Sequence, residues 1–329
     1  MQDISIIESN RKIKNRISSK LNGINEQSRN YIKDIITLVN KEIGVNKIIS
    51  IILFGSQREK SNEKVSTLSD CDLLIIFKDR VSNHHIKEIE KYFISLEIKH
   101  NFREFSNNIF KKILGVINQT TGIFISHFLT KRKYWEDMIF HKIFRVNKII
   151  SSVFAPRRIV LGNIITNCSL LYGDDLREKI RPKIQINMLE IIKSTFMNLL
   201  ISLFSIAISI LKNLNSMKYQ LEAIKWSLKT SNYYCFRDSE NLKNIILRFI
   251  SFEKVRSQQK ASRFFSEFLE LRHSPRNNMA FMIRCPIRLI KIHMKAILYK
   301  RLVIRKQKSR IPDKLKDPII PDHIFPLKF

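Results

Sequence analysis

The chain has 329 residues and carries 59 Lys and Arg against 29 Asp and Glu, a formal charge of +30. Hydrophobic residues make up 44% and Phe alone numbers 22, enough apolar material to exclude a globally disordered chain. Four cysteines (Cys71, Cys168, Cys235, Cys285) stand far apart with no C-x-x-C pair, which excludes a zinc ribbon or a disulfide framework and favours reduced thiols.

The length suggests about two domains. The first residues lack a basic stretch followed by an apolar run, so no signal peptide is expected and the protein reads as cytoplasmic. Ile4 to Leu21 reads as an amphipathic helix, and Glu26 to Ile43 as a second one with Gly44 as its stop. Ile48 to Phe54 is a short β-branched run ending in Gly55-Ser56, a buried strand followed by a tight turn. Asp72 to Phe77 is a second buried strand, Gly122 to Thr130 a third, and Ser169 to Tyr172 a short fourth. Helical stretches lie at about 84–99 and 107–118.

Glycine and proline then divide the chain. All seven glycines lie before residue 174, and no proline falls between Pro182 and Pro275. The turns of a mixed α/β unit thus give way to long helices, with a boundary near Pro182. The pattern predicts helices at about 185–212, 216–230, 239–250, 253–271 and 287–306. Ser194 to Leu211 carries no charge over 18 residues, the lower limit for a membrane span. Asn198, Ser202, Ser205, Ser209 and Lys212 form one polar stripe along it, so a core helix is expected and no transmembrane span. The tail after Arg310 holds four prolines and should be extended.

The chemistry concentrates in Leu53-Phe-Gly-Ser56 and Ser69-Asp-Cys-Asp-Leu73. A glycine at the end of a strand lets the backbone approach a phosphate, and helix-start N–H groups favour anions. Ser56 adds a hydroxyl donor. Asp70 and Asp72, two apart on a strand, project from one face and offer the hard oxygen ligands that Mg²⁺ prefers. The pair Gly-Ser then Asp-x-Asp, flanked by two apolar strands, resembles the nucleotidyltransferase superfamily that includes DNA polymerase beta, the CCA-adding enzymes and aminoglycoside nucleotidyltransferases. Leu171-Tyr-Gly-Asp-Asp-Leu176 is similar to the strand and turn that close its minimal members.

The resemblance spans about residues 28–178. It implies an α+β fold, with a mixed sheet and flanking helices over 1–182 (N-terminal helices over 1–44). An all-α domain over 183–311 and an extended tail over 312–329 would follow. It implies an NTP substrate and Mg²⁺ held by Asp70 and Asp72, with Gly55 and Ser56 gripping the phosphates. The product would be a nucleoside monophosphate joined to an acceptor hydroxyl on a small molecule or an RNA end. Active members carry a third carboxylate on the third core strand, and Phe124 to Leu129 holds none. Glu97, Glu136 and His127 are the residues weighed for that place. Its absence supports an alternative, a catalytically weak fold that binds nucleotide or nucleic acid in an antitoxin or regulatory role.

Two features lie in the helical half. Leu271 to Pro312 has 12 Lys or Arg and no acid, and Lys291, Lys295, Arg301 and Arg305 interleave with Ile, Leu and Val. Such a basic helix could contact RNA, lie on a membrane surface, or serve as a solvated outer face. Lys218 to Phe236, with Glu222-Ala-Ile-Lys-Trp226, is similar to helices that help form the acceptor pocket in small-substrate nucleotidyltransferases, although a Trp at helical spacing is commonly core.

Overall fold

In a computed structural model of the chain, residues 17, 19–22, 24–55, 71–102, 127–209 and 216–308 are described, those of 303–308 by backbone alone. The two β-branched runs make its centre: β1 (Ile48–Phe54) and β2 (Asp72–Phe77) pair antiparallel with Phe54 opposite Asp72. Every side chain of β1 is buried, so the strand needs cover on both faces. β3 (His127–Lys131) runs parallel to β2, and β4 (Cys168–Gly173) antiparallel to β1, giving the mixed order β3-β2-β1-β4. Gly173, at φ 81°, closes β4 where a Cβ would lie 1.8 Å from the Ile49 carbonyl oxygen.

Alternation along the strands splits the surrounding core in two. Ile51, Leu53, Leu73, Ile75 and Leu129 face α1 (Glu26–Glu42) and α2 (Asn83–Lys99). Asn25 and Ser82 cap those helices, accepting from the Ser28 and His85 N–H groups. Ile52, Phe54, Leu74, Ile76 and Phe128 face the other way. There they meet the short helices α3 (Arg132–Glu136), α4 (Phe140–Ile143), α5 (Lys148–Phe154) and α6 (Arg157–Thr166), followed after β4 by α7 (Arg177–Ile180).

The second half is helical, with α8 (Met188–Ser209), α9 (Ser216–Phe236), α10 (Leu242–Ser251), α11 (Val255–His273) and α12 (Met279–Lys308). Leu221, Leu228, Phe265, Phe268, Phe281 and Leu289 lie in its core, which Ile159 of α6 also enters. α6 reaches it because Gly162 has no side chain: a Cβ there would sit 2.1 Å from the Tyr233 hydroxyl. The class is α+β, a mixed four-stranded sheet with flanking helices plus a helical C-terminal region.

Some expectations change. The helix predicted from 287 begins at Met279, where Asn278 accepts from the Phe281 N–H, and Pro286 sits inside without ending it. Residues 107–118, 122–126 and 312–329 and most of 4–21 lie outside the described residues. No disulfide joins the four cysteines.

The polar stripe of α8 points inward. Ser194, Asn198, Ser202, Ser205 and Ser209 are buried, while Leu189, Ile192, Phe196, Leu200 and Leu203 are exposed. Hydrogen bonds account for the orientation. Ser194 Oγ donates to Thr230 Oγ1 (3.1 Å), Gln220 Nε2 to Ser202 Oγ (2.6 Å) and Ser205 Oγ to the Ser216 carbonyl (2.7 Å). Asn198 Nδ2 lies 3.4 Å from His293 Nε2 on α12. Among the described residues one helix, α8, is long and apolar enough by itself to cross a membrane, yet its inner face is bonded to α9 and α12.

Candidate functional site

β1 and β2 bring Gly55 and Asp72 together. Phe54 is the ladder partner of Asp72, so the residue after Phe54 turns directly over the carboxylate. Gly55 has φ 81°, and a Cβ there would sit 2.0 Å from Asp72 Oδ2. Both the backbone angle and the close approach require glycine. Ser56 and Asp70 lie outside the described residues, so two of the four expected phosphate and metal residues are seen together. The described partner suits a hard divalent cation: Asp72 offers carboxylate oxygens, and its neighbour has no side chain to block approach.

Asp72 shares its sheet face with Leu74 and Ile76 and opens into a cleft. Phe54, Phe128, Phe140 and Phe144 form the sheet-side wall, and Asn163 of α6 and Asn167 at its C-cap lie along it. The opposite wall is α9, which contributes Glu222, Lys225, Trp226, Lys229 and Thr230, with Asn198 from α8 at the side. Trp226 is half-buried and lines this cleft.

Glu222 is buried, and its charge is balanced locally. Burial pushes its carboxyl up, but Lys225 and Arg272 outweigh that and hold it below the usual range. Arg272 Nη1 lies 3.3 Å away, and Lys225 pairs with the other oxygen. The cleft therefore presents aromatic walls, amide groups and a compensated carboxylate.

Two of the three residues weighed as a third carboxylate or metal ligand lie on the face of the sheet away from Asp72, and the third is paired within its own helix. Glu97 is on a helix, α2, and its Oε1 lies 2.7 Å from His127 Nδ1. Both are buried on the far face of the sheet, with the Phe93 ring 4.9 Å from the imidazole. Parity fixes this: His127 alternates with Phe128, and Phe128 is the one on the Asp72 face. Glu136 accepts from Arg132 Nε (2.8 Å) on α3. Among the described residues no three His, Cys, Asp or Glu gather as a metal cluster.

The four basic residues singled out on α12 do not form one row. Lys291 and Arg301 are exposed, Lys295 pairs with Glu253, to which Arg288 also binds, and the side chain of Arg305 is outside the described residues. Sequence reasoning passed over Lys225, Lys229, Asn163 and Asn167. The signal for the first two was present: 222, 225, 226, 229 and 230 recur at i, i+3, i+4, i+7 and i+8, which places them on one helix face.

No family model and no curated protein matches the chain. Among solved structures it is similar to spectinomycin adenyltransferase AAD(9) from Enterococcus faecialis, determined with ATP and spectinomycin. The identity is 8%, the match covers 82% of this chain and 98% of that one, and the TM-score is 0.47.

Proposed function

We propose that the protein transfers a nucleoside monophosphate from a Mg²⁺-bound NTP to the hydroxyl of a small acceptor, held in the cleft between the sheet and α9. The observation that carries this reading is Gly55 folded against Asp72 at one end of a cleft whose other wall is a separate helix. The order Gly-Ser, Asp-x-Asp on two apolar strands adds to it. In this reading residues 1–182 supply the phosphate site and residues 183–311 the acceptor wall.

Each residue then has a task. Gly55 keeps its backbone bare for a phosphate, with Ser56 next to it as donor. Asp70 and Asp72 would hold the cation, which supplies charge neutralisation on the triphosphate. Phe128 and Trp226 offer flat apolar surface to an acceptor, and Glu222 accepts hydrogen bonds from its hydroxyl or amine groups. Catalysis of this kind is mainly positioning and charge stabilisation. A cytoplasmic setting fits an NTP substrate and cysteines that form no disulfide.

One observation favours a second reading. On the Asp72 face the described part of β3 offers Phe128, the ladder partner of Leu74, and no carboxylate, although an acid on this strand would be needed to take the acceptor proton. A protein that binds NTP with Mg²⁺ but releases no pyrophosphate would be the catalytically weak form of the same fold. Contact with RNA through α12 is the less supported partner, since Glu253 occupies two of its cations.

Calorimetry with ATP, in Mg²⁺ and then in EDTA, tests the site. Binding should be tighter with the metal, and Asp70→Asn with Asp72→Asn should erase the difference. Binding that ignores the metal in the unaltered protein sinks the reading. Pyrophosphate release over a panel of hydroxylated small molecules then separates the two forms.

A further inference from the structure

The outer side of the helical region is unusually apolar. On α8, Leu189, Ile192, Phe196, Leu200 and Leu203 follow steps of 3, 4, 4 and 3, each between 38% and 58% exposed. On α12, Ile283, Ile287, Ile290, Met294 and Leu298 follow steps of 4, 3, 4 and 4, between 39% and 61% exposed. The helices are neighbours through their inner faces: Asn198 meets His293, and Ser209 Oγ lies 3.6 Å from Met279 Sδ. α5 extends the surface, with Phe154 stacked on Phe196 at 5.5 Å and Ile149 74% exposed. Scattered exposed aliphatics need no explanation, but continuous stripes of large ones on two neighbouring helices mark a surface that is covered by something.

The arrangement of α8 rules out simple rotation as relief. Its inner face is taken by buried hydrogen bonds to Thr230, Gln220, Ser216 and His293, so its apolar face is held outward.

Charge selects what covers it. α12 contains no acidic residue, and the one acid of α8, Glu190, is buried and accepts from the Arg158 N–H (3.0 Å). Lys291 and Arg301 lie exposed on α12 and form no ion pair among the described residues. The chain as a whole is at +30. A second copy would bring cations against cations, whereas an anionic bilayer meets both features: acyl chains for the stripes and headgroup phosphates for the cations.

We infer that this face of α8 and α12 docks flat on an anionic phospholipid bilayer. The apolar stripes lie at the headgroup–acyl boundary, and Lys291 and Arg301 sit among the phosphates. α12 provides about 45 Å of length in the plane of the surface, at ~1.5 Å per residue. The inference is independent of the nucleotide reading, since no residue of the two stripes, nor Lys291 or Arg301, lines the cleft, which of this surface takes only Phe154.

The test is flotation of the full-length chain with vesicles of phosphatidylcholine alone and of phosphatidylcholine with phosphatidylglycerol. Binding is expected to the second and not the first. Lys291→Gln and Arg301→Gln should each weaken it by roughly fivefold. Ile287→Gln with Met294→Gln should weaken it by at least about tenfold while circular dichroism and melting stay unchanged, because both side chains face outward. Failure to float with anionic vesicles overturns the inference. So does binding that the apolar double variant retains, which would reduce it to surface charge. A dimer on light scattering that the same double variant dissolves would assign the face to a second copy and also overturn it.

Discussion

A Cβ on residue 55 would stand 2.0 Å from Oδ2 of Asp72, so no other residue can keep both this backbone angle and the present place of the carboxylate. Gly55→Ala must either push the carboxylate away or abandon φ 81°. It should cost about 1–3 kcal/mol of stability, from strain at a left-handed position, and more than that share of NTP affinity. Urea denaturation and calorimetry on one sample check both. An alanine variant as stable and as tight as the parent would mean the contact is unimportant.

Asp72→Asn keeps the shape and removes the charge. Stability should change by under about 1 kcal/mol, while the gain in ATP affinity on adding Mg²⁺ disappears. A retained metal effect would place the cation elsewhere.

Glu97 and His127 should behave oppositely. Their buried bond, on the far face of the sheet, supports β3 and α2 and has no path to the nucleotide. Glu97→Gln should lower stability by about 1–3 kcal/mol through an imperfectly satisfied buried group. Metal-dependent ATP binding should be untouched. Loss of that binding without loss of stability would restore Glu97 as a site residue.

His293 predicts a pH dependence. It is fully buried, with Ser231 Oγ at 3.2 Å and the Tyr234 hydroxyl at 3.3 Å from Nδ1, and burial pushes its pKa down to about 3. The folded chain therefore holds the ring neutral, while the unfolded chain takes up a proton below its ordinary value near 6.5. The stability linked to this group is complete above about pH 6.5. It is lost as pH falls toward 3, by at most about 1.4 kcal/mol per pH unit. His293→Gln should flatten that part of the stability–pH curve. An unchanged slope between pH 6 and 4 would show that other groups set it.

The two sides of α8 should respond differently. Ser202→Val leaves the Gln220 amide without its acceptor in a buried place and should cost about 1–3 kcal/mol. Leu200→Gln, on the exposed side, should stay within about 0.5 kcal/mol. Equal effects in thermal melts would contradict the inward polar face.

β1 and β2 were legible to the residue because apolar β-branched runs bounded by turn residues have few other uses. The strand pairing partner of Asp72 was not, since register is a tertiary property. α3 to α7 were not legible either. Helices of 4 to 10 residues carry too few turns for a period to emerge, and they form because the sheet face needs cover. The stripe on α8 was visible, but a period cannot say which side faces in. That was decided by partners 18 to 95 residues away in sequence, such as Gln220 and His293. At the site, the sequence pattern named Gly55 and Asp72, and the fold sets the two against each other. The α9 wall followed only in outline, since Glu222 and Trp226 were noticed and Lys225 and Lys229 were not.

Gly162 has a consequence for how the cleft admits its occupant. α6 and its C-cap bring Asn163 and Asn167 to the cleft and, through Gly162, α6 is seated against Tyr233 of α9, the helix of the opposite wall. The two walls thus share one post, and its thickness is a single missing methyl group. Such a joint resists hinging, since opening the walls would pull α6 out of a fitted seat. On the proposed reading, entry would be governed by the width of a standing slot, and acceptors would be sorted by the thickness of the molecule that slides in rather than by a jaw that closes on it.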